Sequence, residues 1–580
     1  MRIAWATMLA CALAAAFAAA PAAGDDQDTL RRYAEGTWAS MAAMTDPASG
    51  LPTDQLFADG RREVQTSTTN IGSYLWSAVA AERLGIIGRR ELRDRAARTL
   101  TTLEGMERDD ASGQFFNWYD HRTGAKLTQW PPTGAALTPI LSSVDNGWLA
   151  VGLRIVANTV PQLSDRANAL YDSMDFGVYY RPEENRILFH IAPDTGATPC
   201  CYDTIVSESR IAYYVGISKG DLPSRVYYGP WRTFPDSCAY AFQETRPAGF
   251  TRTYDGRSVY EGSYPYGDTR LVPSWGGSMF EALMPALFVP EERWGPGSWA
   301  MNHPLTADAQ IDHGLNVAGY PAWGFSFSNN PSGGYSGYGV DAAGMNPEGE
   351  ASNNDRTLVD RGFPGCPDRP AKPDPPQTAY TNGVVTPHAA FLALRWRPDE
   401  ALASLRALED RGAYTPLGFY DAVNVQTGKP SPAYLSLDQG MIMAALGNAL
   451  GRDVLRDAFA TRDLERAVRP AVAVEEFNVQ PRGCTITGTE GDDRLWGTWR
   501  DDVICGLGGD DEILGWGGDD AVFGDAGDDV VRGGDGADTL YGDDGDDVLR
   551  GERGRDVLAG GPGDDVLPAG PGDHAEQGGS

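Results

Sequence analysis

The chain has 580 residues, 42% of them hydrophobic, with 80 acidic against 48 basic side chains and a formal charge of −32. That apolar content excludes global disorder, and the length exceeds what one hydrophobic core fills, so more than one domain is expected. The charge excludes nucleic acid and anionic lipid as electrostatic partners, and it leaves neutral ligands, cationic ligands and divalent cations.

Arg2 is followed by an alanine-rich apolar run from Ile3 to Ala20, small residues at Ala20-Pro21-Ala22 and polar sequence from Asp25. This is the pattern of a secretory signal peptide over 1–22, and it places the mature protein outside the cell or at its surface. No later stretch is long and apolar enough to span a bilayer, and a monomer is expected.

Residues 25–475 read as helices separated by loops rich in Gly, Pro, Trp and Tyr. The helical pattern recurs at 28–44, 69–84, 89–106, 145–158, 163–174, 206–217, 277–289, 305–318, 387–396, 398–410, 438–450 and 452–467. In the second of these, Ile71, Tyr74, Leu75, Ala78 and Val79 share one face. No βαβ rhythm and no phosphate-binding loop interrupts them. A dozen helices in one domain suggest hairpins closed into a double-layered all-α (α/α) barrel. The loops carry aromatic residues beside carboxylates, as at Gln114–Asp120 and Ser274–Gly277. Such platforms suit sugar rings, whose C–H faces stack on aromatics. The long Gly-, Pro- and Asn-rich segment 329–382 reads as a lid or rim.

Removal of Cys11 with the signal leaves six cysteines, an even number suited to disulfides in an oxidising compartment. Cys484 with Cys505 is the expected pair; Cys200, Cys201, Cys238 and Cys366 allow three pairings.

A linker, 476–487, leads to a nine-residue repeat. Glycine opens each unit from Gly488 to Gly560. Aspartate holds the sixth place: Asp493, Asp502, Asp511, Asp520, Asp529, Asp538, Asp547, Asp556 and Asp565. An aliphatic residue, Leu495 through Leu567, holds the eighth. Glycines permit the tight turns, aliphatics fill a thin core, and the aspartates supply oxygen ligands to a hard cation. The pattern is that of a calcium-binding parallel β-roll over 488–568, followed by a disordered tail, 569–580. It resembles the repeats-in-toxin family. Arg500, Ala537 and Arg555 interrupt the acidic pattern.

Several ordered stretches of the body also resemble a known family. They include Thr66–Gly72, Phe116–Asp120, Ser143–Leu149, Ser207–Ala212, Ser274–Glu281, Val384–Ala389, Gly418–Ala422 and Tyr434–Met441. Together they are similar to the glucoamylase-like domain of glycoside hydrolase family 144, the endo-β-1,2-glucanases, and of cyclic β-1,2-glucan synthases. The resemblance implies an (α/α)6 barrel with a carbohydrate groove at one end and cleavage of a β-linked glucan, by resemblance β-1,2-glucan. It implies catalytic roles for Glu208, Asp438 and Asp145. The synthase-type modules have a glutamate in a stretch that here reads Trp323-Gly324-Phe325-Ser326-Phe327-Ser328, so the hydrolytic branch is favoured.

Hydrolysis of a glycosidic bond needs a protonated acid at the leaving oxygen and a carboxylate that activates water or attacks the sugar. Glu208 is assigned as acid and Asp438 as the base, with inversion expected; Asp145 binds hydroxyls or shares the base role. Trp118, Tyr119, Trp275 and Trp323 are candidate sugar contacts. The structural alternatives are an ion pair of Glu208 with Arg210 and helix capping by Asp145 or Asp421. The functional alternatives are a non-catalytic glycan-binding or adhesion protein, and the same hydrolase acting on another glycan. Ca2+ is the one cofactor expected, in the repeats.

Residues 488–580 hold 25 acidic and six arginine side chains, a net of −19. Over half of the opening charge imbalance thus belongs to the repeats.

Overall fold

The computed structural model describes residues 24–131, 133–239, 245–345, 383–479 and 483–576. The signal peptide, most of the 329–382 segment and Cys366 lie outside them. The chain forms two compact units that divide near residue 480.

The first unit is an (α/α)6 barrel. Its helices are α1 (Gly24–Met44), α2 (Thr68–Arg83), α3 (Arg89–Gly105), α4 (Ser143–Thr159), α5 (Ser164–Asp172), α6 (Arg210–Lys219), α7 (Met279–Leu283), α8 (Glu291–Trp294), α9 (Trp299–Asp312), α10 (Pro387–Leu392), α11 (Pro398–Glu409), α12 (Ser436–Gly451), α13 (Val454–Phe459) and α14 (Arg462–Ala473). Six of them are buried on nearly all sides and form the inner ring: α2, α4, α6, α7, α10 and α12. Contacts run from α12 to α2, α2 to α4, α4 to α6, α7 to α10 and α10 to α12. Arg210 on α6 closes the ring by donating to the carbonyls of Glu281 and Ala282 on α7. Outer helices α1, α3, α5, α14, α9 and α11 each back one inner helix.

Glycine sets the tightest contact in the ring. A side chain at Gly72 of α2 would strike the backbone of Trp148 on α4, and one at Gly152 would strike Gly72. The outer helices are amphipathic, burying one stripe such as Leu92, Ala96, Thr99, Leu100 and Leu103 of α3. Most expected helices are present with shifted ends. The one expected at 206–217 starts at Arg210, because residues 207–209 form a turn. The one expected at 277–289 is α7 followed by a 3-10 turn at Pro285–Leu287. An antiparallel hairpin, Ala248–Tyr254 with Arg257–Tyr266, was not expected; it turns on Asp255-Gly256, both at positive φ.

The second unit is the parallel β-roll. Strands recur every 18 residues in each of two sheets, one through Val503, Ala521, Thr539 and Val557, the other through Arg494, Glu512, Val530 and Val548. Between the sheets Ile504, Ile513, Val522, Val531, Leu540, Leu549 and Leu558 form a one-residue-thick core. Each is the aliphatic eighth place of its unit. The tail expected to be disordered instead adds a strand, His574–Glu576, beside Val557–Ala559. Its backbone pairs with Val557–Ala559 and becomes the terminal strand of that sheet.

Cys484 and Cys505 are bonded, as expected. Cys200 bonds its neighbour Cys201. Among the described residues no helix is long and apolar enough to cross a membrane.

Candidate active site

The first turns of the inner helices meet at one end of the barrel and bring carboxylates together. Glu208 stands in the turn before α6. Its Oε2 accepts from the indole N–H of Trp148 at 2.6 Å. Trp148 is itself fixed among Trp76 and Phe288 on the barrel floor. The backbone N–H of Glu208 donates to Glu281 Oε2 at 2.9 Å, and the Ser207 hydroxyl donates to the same oxygen at 2.8 Å. Burial, and then the neighbouring Glu281 charge, push the Glu208 carboxyl well above the usual carboxylate range. Burial also pushes Glu281 up, to about 7. Two carboxyls so placed resist ionising together.

The expected structural partner of Glu208 is engaged elsewhere. Arg210 donates to Glu291 at 2.5 and 3.0 Å, and Tyr214 and His303 complete that buried cluster. Arg210 also donates to the carbonyls of Ser207 at 2.9 Å and Glu281 at 3.0 Å. It therefore holds in place both the turn that presents Glu208 and the helix that presents Glu281.

Asp145 lies in the first turn of α4. Its carboxylate is not the cap of that helix; the Ser142 hydroxyl is, accepting from the Asp145 N–H. Asp145 Oδ1 accepts from Thr69 Oγ1 at 2.5 Å. With its amide nitrogen turned to the carboxylate, Asn117 donates to Asp145 Oδ2 at 2.9 Å and accepts from Trp118 Nε1 at 3.1 Å. Burial raises Asp145, and its charge helps to raise Glu208.

Asp438, in the first turn of α12, faces Asp421 and His388. Its Oδ2 lies 3.1 Å from His388 Nδ1. Burial pushes Asp438 up to about 7, while the hydrogen bond from Asp421 opposes the shift. Asp421 rises well above the usual range through burial and the Asp438 charge, and accepts from the Asn329 N–H at 2.6 Å. Burial lowers His388 to about 4, so the ring is neutral near pH 7. Two carboxyls so close resist ionising together, and they sit beside a neutral imidazole. By spacing alone these three residues could also hold a cation.

The two clusters are electrostatically linked at one end of the barrel. The Tyr335 ring is half exposed, and its phenol is raised above its usual value with the charges of Asp438, Asp421, Asp54 and Glu208 acting on it. Tyr202 likewise faces Glu208, Asp145 and Glu281. Asp54 accepts from Asn70 at 2.7 Å and feels Asp145 and Asp421. Sequence reasoning named neither Glu281, His388 nor Asp54 as site residues, nor Tyr335. Glu281 and His388 stood inside quoted stretches, Ser274–Glu281 and Val384–Ala389, and pairing across the barrel is what distinguishes them. A separate cavity of about 660 Å3, lined by Tyr74, Glu91, Asp94, Arg95 and Arg98 among others, contains none of these carboxylates.

The aromatic candidates divide. Trp118 and Trp275 are partly exposed near the site, Trp275 stacked on Phe327 at 5.6 Å. Tyr119 is fully buried, donating to the Glu107 carbonyl at 2.6 Å and accepting from the Phe116 N–H. Trp323 is buried and donates to the Glu400 carbonyl. Both are core residues, which corrects the expectation that they touch sugar.

The roll presents a second set of carboxylates. In Asp511, Asp520, Asp529 and Asp547, Oδ1 accepts from the backbone N–H of the aspartate one turn earlier, at 2.7 to 2.9 Å. The other oxygen, Oδ2, is buried and accepts no hydrogen bond from the protein. It lies against the first-place glycine, Gly506, Gly515, Gly524 or Gly542, where any side chain would strike it. Orphaned anionic oxygens in a glycine cradle fit a hard cation. Asp493 and Asp502 differ: each gives Oδ2 to the N–H and hydroxyl of a second-place threonine, Thr489 or Thr498, at 2.6 to 2.8 Å.

Comparison with known proteins agrees with this architecture. Residues 248–462 match the family described as "Putative glucoamylase". Residues 485–511, 496–531 and 532–567 match the RTX calcium-binding nonapeptide repeat. A glucoamylase-like domain is followed by calcium-binding repeats. Residues 32–213 match a family of unknown function, DUF3131. The chain is 30% identical over 308 residues to the cyclic beta-(1,2)-glucan synthase NdvB of Rhizobium meliloti, covering 51% of this chain and 9% of that protein. It is 23% identical to the exo beta-1,2-glucooligosaccharide sophorohydrolase (non-reducing end) of Parabacteroides distasonis, covering 73% of this chain and 55% of that one. The chain thus spans about half or less of these relatives. The solved endo-beta-1,2-glucanase of Chitinophaga pinensis shares the fold at a TM-score of 0.52 and 16% identity, over 79% of this chain and 99% of that one.

Proposed function

We propose that this chain is an extracellular glycoside hydrolase that cleaves β-1,2-glucan. The observation that carries this reading is a half-buried glutamic acid, Glu208, whose protonated form is favoured, at the same end of the barrel as the ionisable Asp421–Asp438 pair. A protonated carboxyl can give its proton to the leaving glycosidic oxygen. A carboxylate beside a second carboxyl can take one from water.

In this reading Glu208 is the general acid, its carboxyl oriented by the indole N–H of Trp148 and its protonated form favoured by burial and by the charge of Glu281. Asp438 is the base, directly or through a second water, and the product inverts. Asp421 and His388 tune Asp438. Asp145, with Thr69 and Asn117, binds a substrate hydroxyl. Trp118 and Trp275 line the sugar path. The names of the two curated relatives support this substrate, one specifying beta-(1,2)-glucan and the other beta-1,2-glucooligosaccharide. The export signal, the disulfides and the calcium-type repeats support an extracellular site of action. Calcium, when bound, is held by the sixth-place aspartates Asp511 through Asp565, more weakly at Asp493 and Asp502 with their threonine partners, and it neutralises their charge.

Release of reducing ends from β-1,2-glucan, compared with a panel of other glucans and arabinans, tests the reading. Turnover of β-1,2-glucan that Glu208→Gln abolishes supports it. Binding without turnover across the whole panel would make the barrel a lectin instead.

A further inference from the structure

The first turns of the roll depart from the calcium pattern where exposed tryptophans cluster. Trp496, Trp499 and Trp516 are 62%, 81% and 57% exposed. Trp499 and Trp516 stack on each other with centroids 5.6 Å apart and planes 7° from parallel, a stepped platform with an open outer face. Trp496 ends the strand that leads into the same turn. This turn has Thr498 in the second place, and Arg500 in the fourth, where the other units carry glycine. Asp502 beneath it gives its carboxylate to Thr498.

Trp516 also occupies the second place of its unit, a turn position at positive φ. Its φ is +82°, a left-handed conformation shared by the equivalent Leu507, Asp525, Asp543 and Glu552 and one that glycine would adopt at lower cost. Nothing in the core uses its ring. An exposed aromatic stacked on a second exposed one is a recognition feature in place of a packing one.

We propose that Trp499 and Trp516, with Trp496 at their edge, form a binding platform for a neutral glycan chain, the polymer on which the barrel acts. Flat indole faces match the C–H faces of pyranose rings. The exposed Arg494–Glu512 pair, at 3.2 Å, lies on the strands that lead into this corner and supplies polar groups for hydroxyls. The surrounding acidic roll repels anionic lipid and polyanions, so an uncharged ligand fits best. The identity of the polymer rests on the β-1,2-glucan reading; the platform itself does not. A platform tethered to the barrel raises the local concentration of the polymer.

The variant Trp516→Gly separates recognition from folding. It removes a ring and relieves the backbone. In the full calcium-saturated chain carrying Glu208→Gln, which binds without turnover, affinity electrophoresis on long β-1,2-glucan is expected to show about tenfold weaker retention for Trp516→Gly and for Trp499→Ala. Thermal melting of the roll is expected to rise for Trp516→Gly. Val566→Ala, at another exposed apolar position of the roll, is expected to leave retention unchanged. Unchanged retention in Trp516→Gly would overturn the platform, as would loss instead of vesicle binding or of self-association. Failure of the wild type to hydrolyse the glucan, with retention still dependent on Trp516, would overturn the barrel reading alone.

Discussion

The barrel and the roll both bury carboxylates, and they neutralise them by different means. In the barrel, Glu208, Asp145 and Asp438 have neutral or polar companions, Trp148, Thr69, Asn117 and His388, and rise because burial disfavours charge. In the roll, Asp511, Asp520, Asp529 and Asp547 have only backbone N–H groups on one oxygen and nothing on the other. The first arrangement keeps protons available for chemistry. The second calls for a metal. The same physical penalty thus prepares one unit for proton transfer and the other for cation binding.

The largest expected effect breaks the comparison outright. Chelation at neutral pH should unfold the roll and leave the barrel's helical circular dichroism intact, because ligand binding is part of the roll's folding free energy. Loss of all helical signal with chelator would show that the units do not fold independently.

Next in size is Arg210→Met. It would leave Glu291 buried without its guanidinium and free the Ser207 and Glu281 carbonyls. Removing one partner of a buried pair costs about 3–5 kcal/mol. Denaturant titration of the barrel should show that loss, with the roll's calcium-dependent transition unmoved.

A pH experiment sharpens the contrast. Burial raises Asp520 to about 8, and Asp529 and Asp547 to about 7. The folded, metal-free roll therefore binds more protons than the unfolded chain, whose aspartates titrate near 3.8. Its stability is fully present below that value and is lost as pH rises from about 4 to about 8. Without calcium the roll should gain β-structure on acidification through that window. With calcium the dependence should flatten, and calcium affinity should rise with pH as protons are displaced. A metal-free roll more stable at pH 8 than at pH 5 would contradict this.

The smallest expected effect is at Tyr119. Tyr119→Phe removes one buried hydroxyl bonded to the Glu107 carbonyl, a cost of about 1 kcal/mol. KM for glucan should not change. A raised KM with unchanged stability would return Tyr119 to the sugar path.

Much of both units was legible in sequence, for different reasons. The roll repeats its chemistry every nine residues, so counting alone assigns Ile504 through Leu558 to its core. The exception is instructive: Thr489 and Thr498 take the carboxylates of Asp493 and Asp502, which counting aspartates does not reveal. In the barrel, helices such as α2 and α3 follow from their apolar periodicity and flanking glycines. Glu208, Asp145 and Asp438 came from stretches that resemble a family. Glu281, Asp54 and His388 join the site only through pairing across elements far apart in the chain, and local pattern carries no such signal. Tyr119 and Trp323 misled because a loop dense in aromatics does not say which ring is buried. The hairpin at Asp255-Gly256 was readable from its turn residues flanked by alternating side chains.

The role of Glu208 as proton donor is the central claim, and leaving-group dependence tests it most directly. Glu208→Gln should slow hydrolysis of β-1,2-glucan by about 100- to 10,000-fold, since general acid catalysis is worth that much. On a sophorosyl fluoride, whose leaving group needs no proton, the same variant should keep most of the wild-type rate. Equal loss on both substrates would contradict a proton-donating role for Glu208, and undiminished hydrolysis of the glucan would remove it from the chemistry altogether.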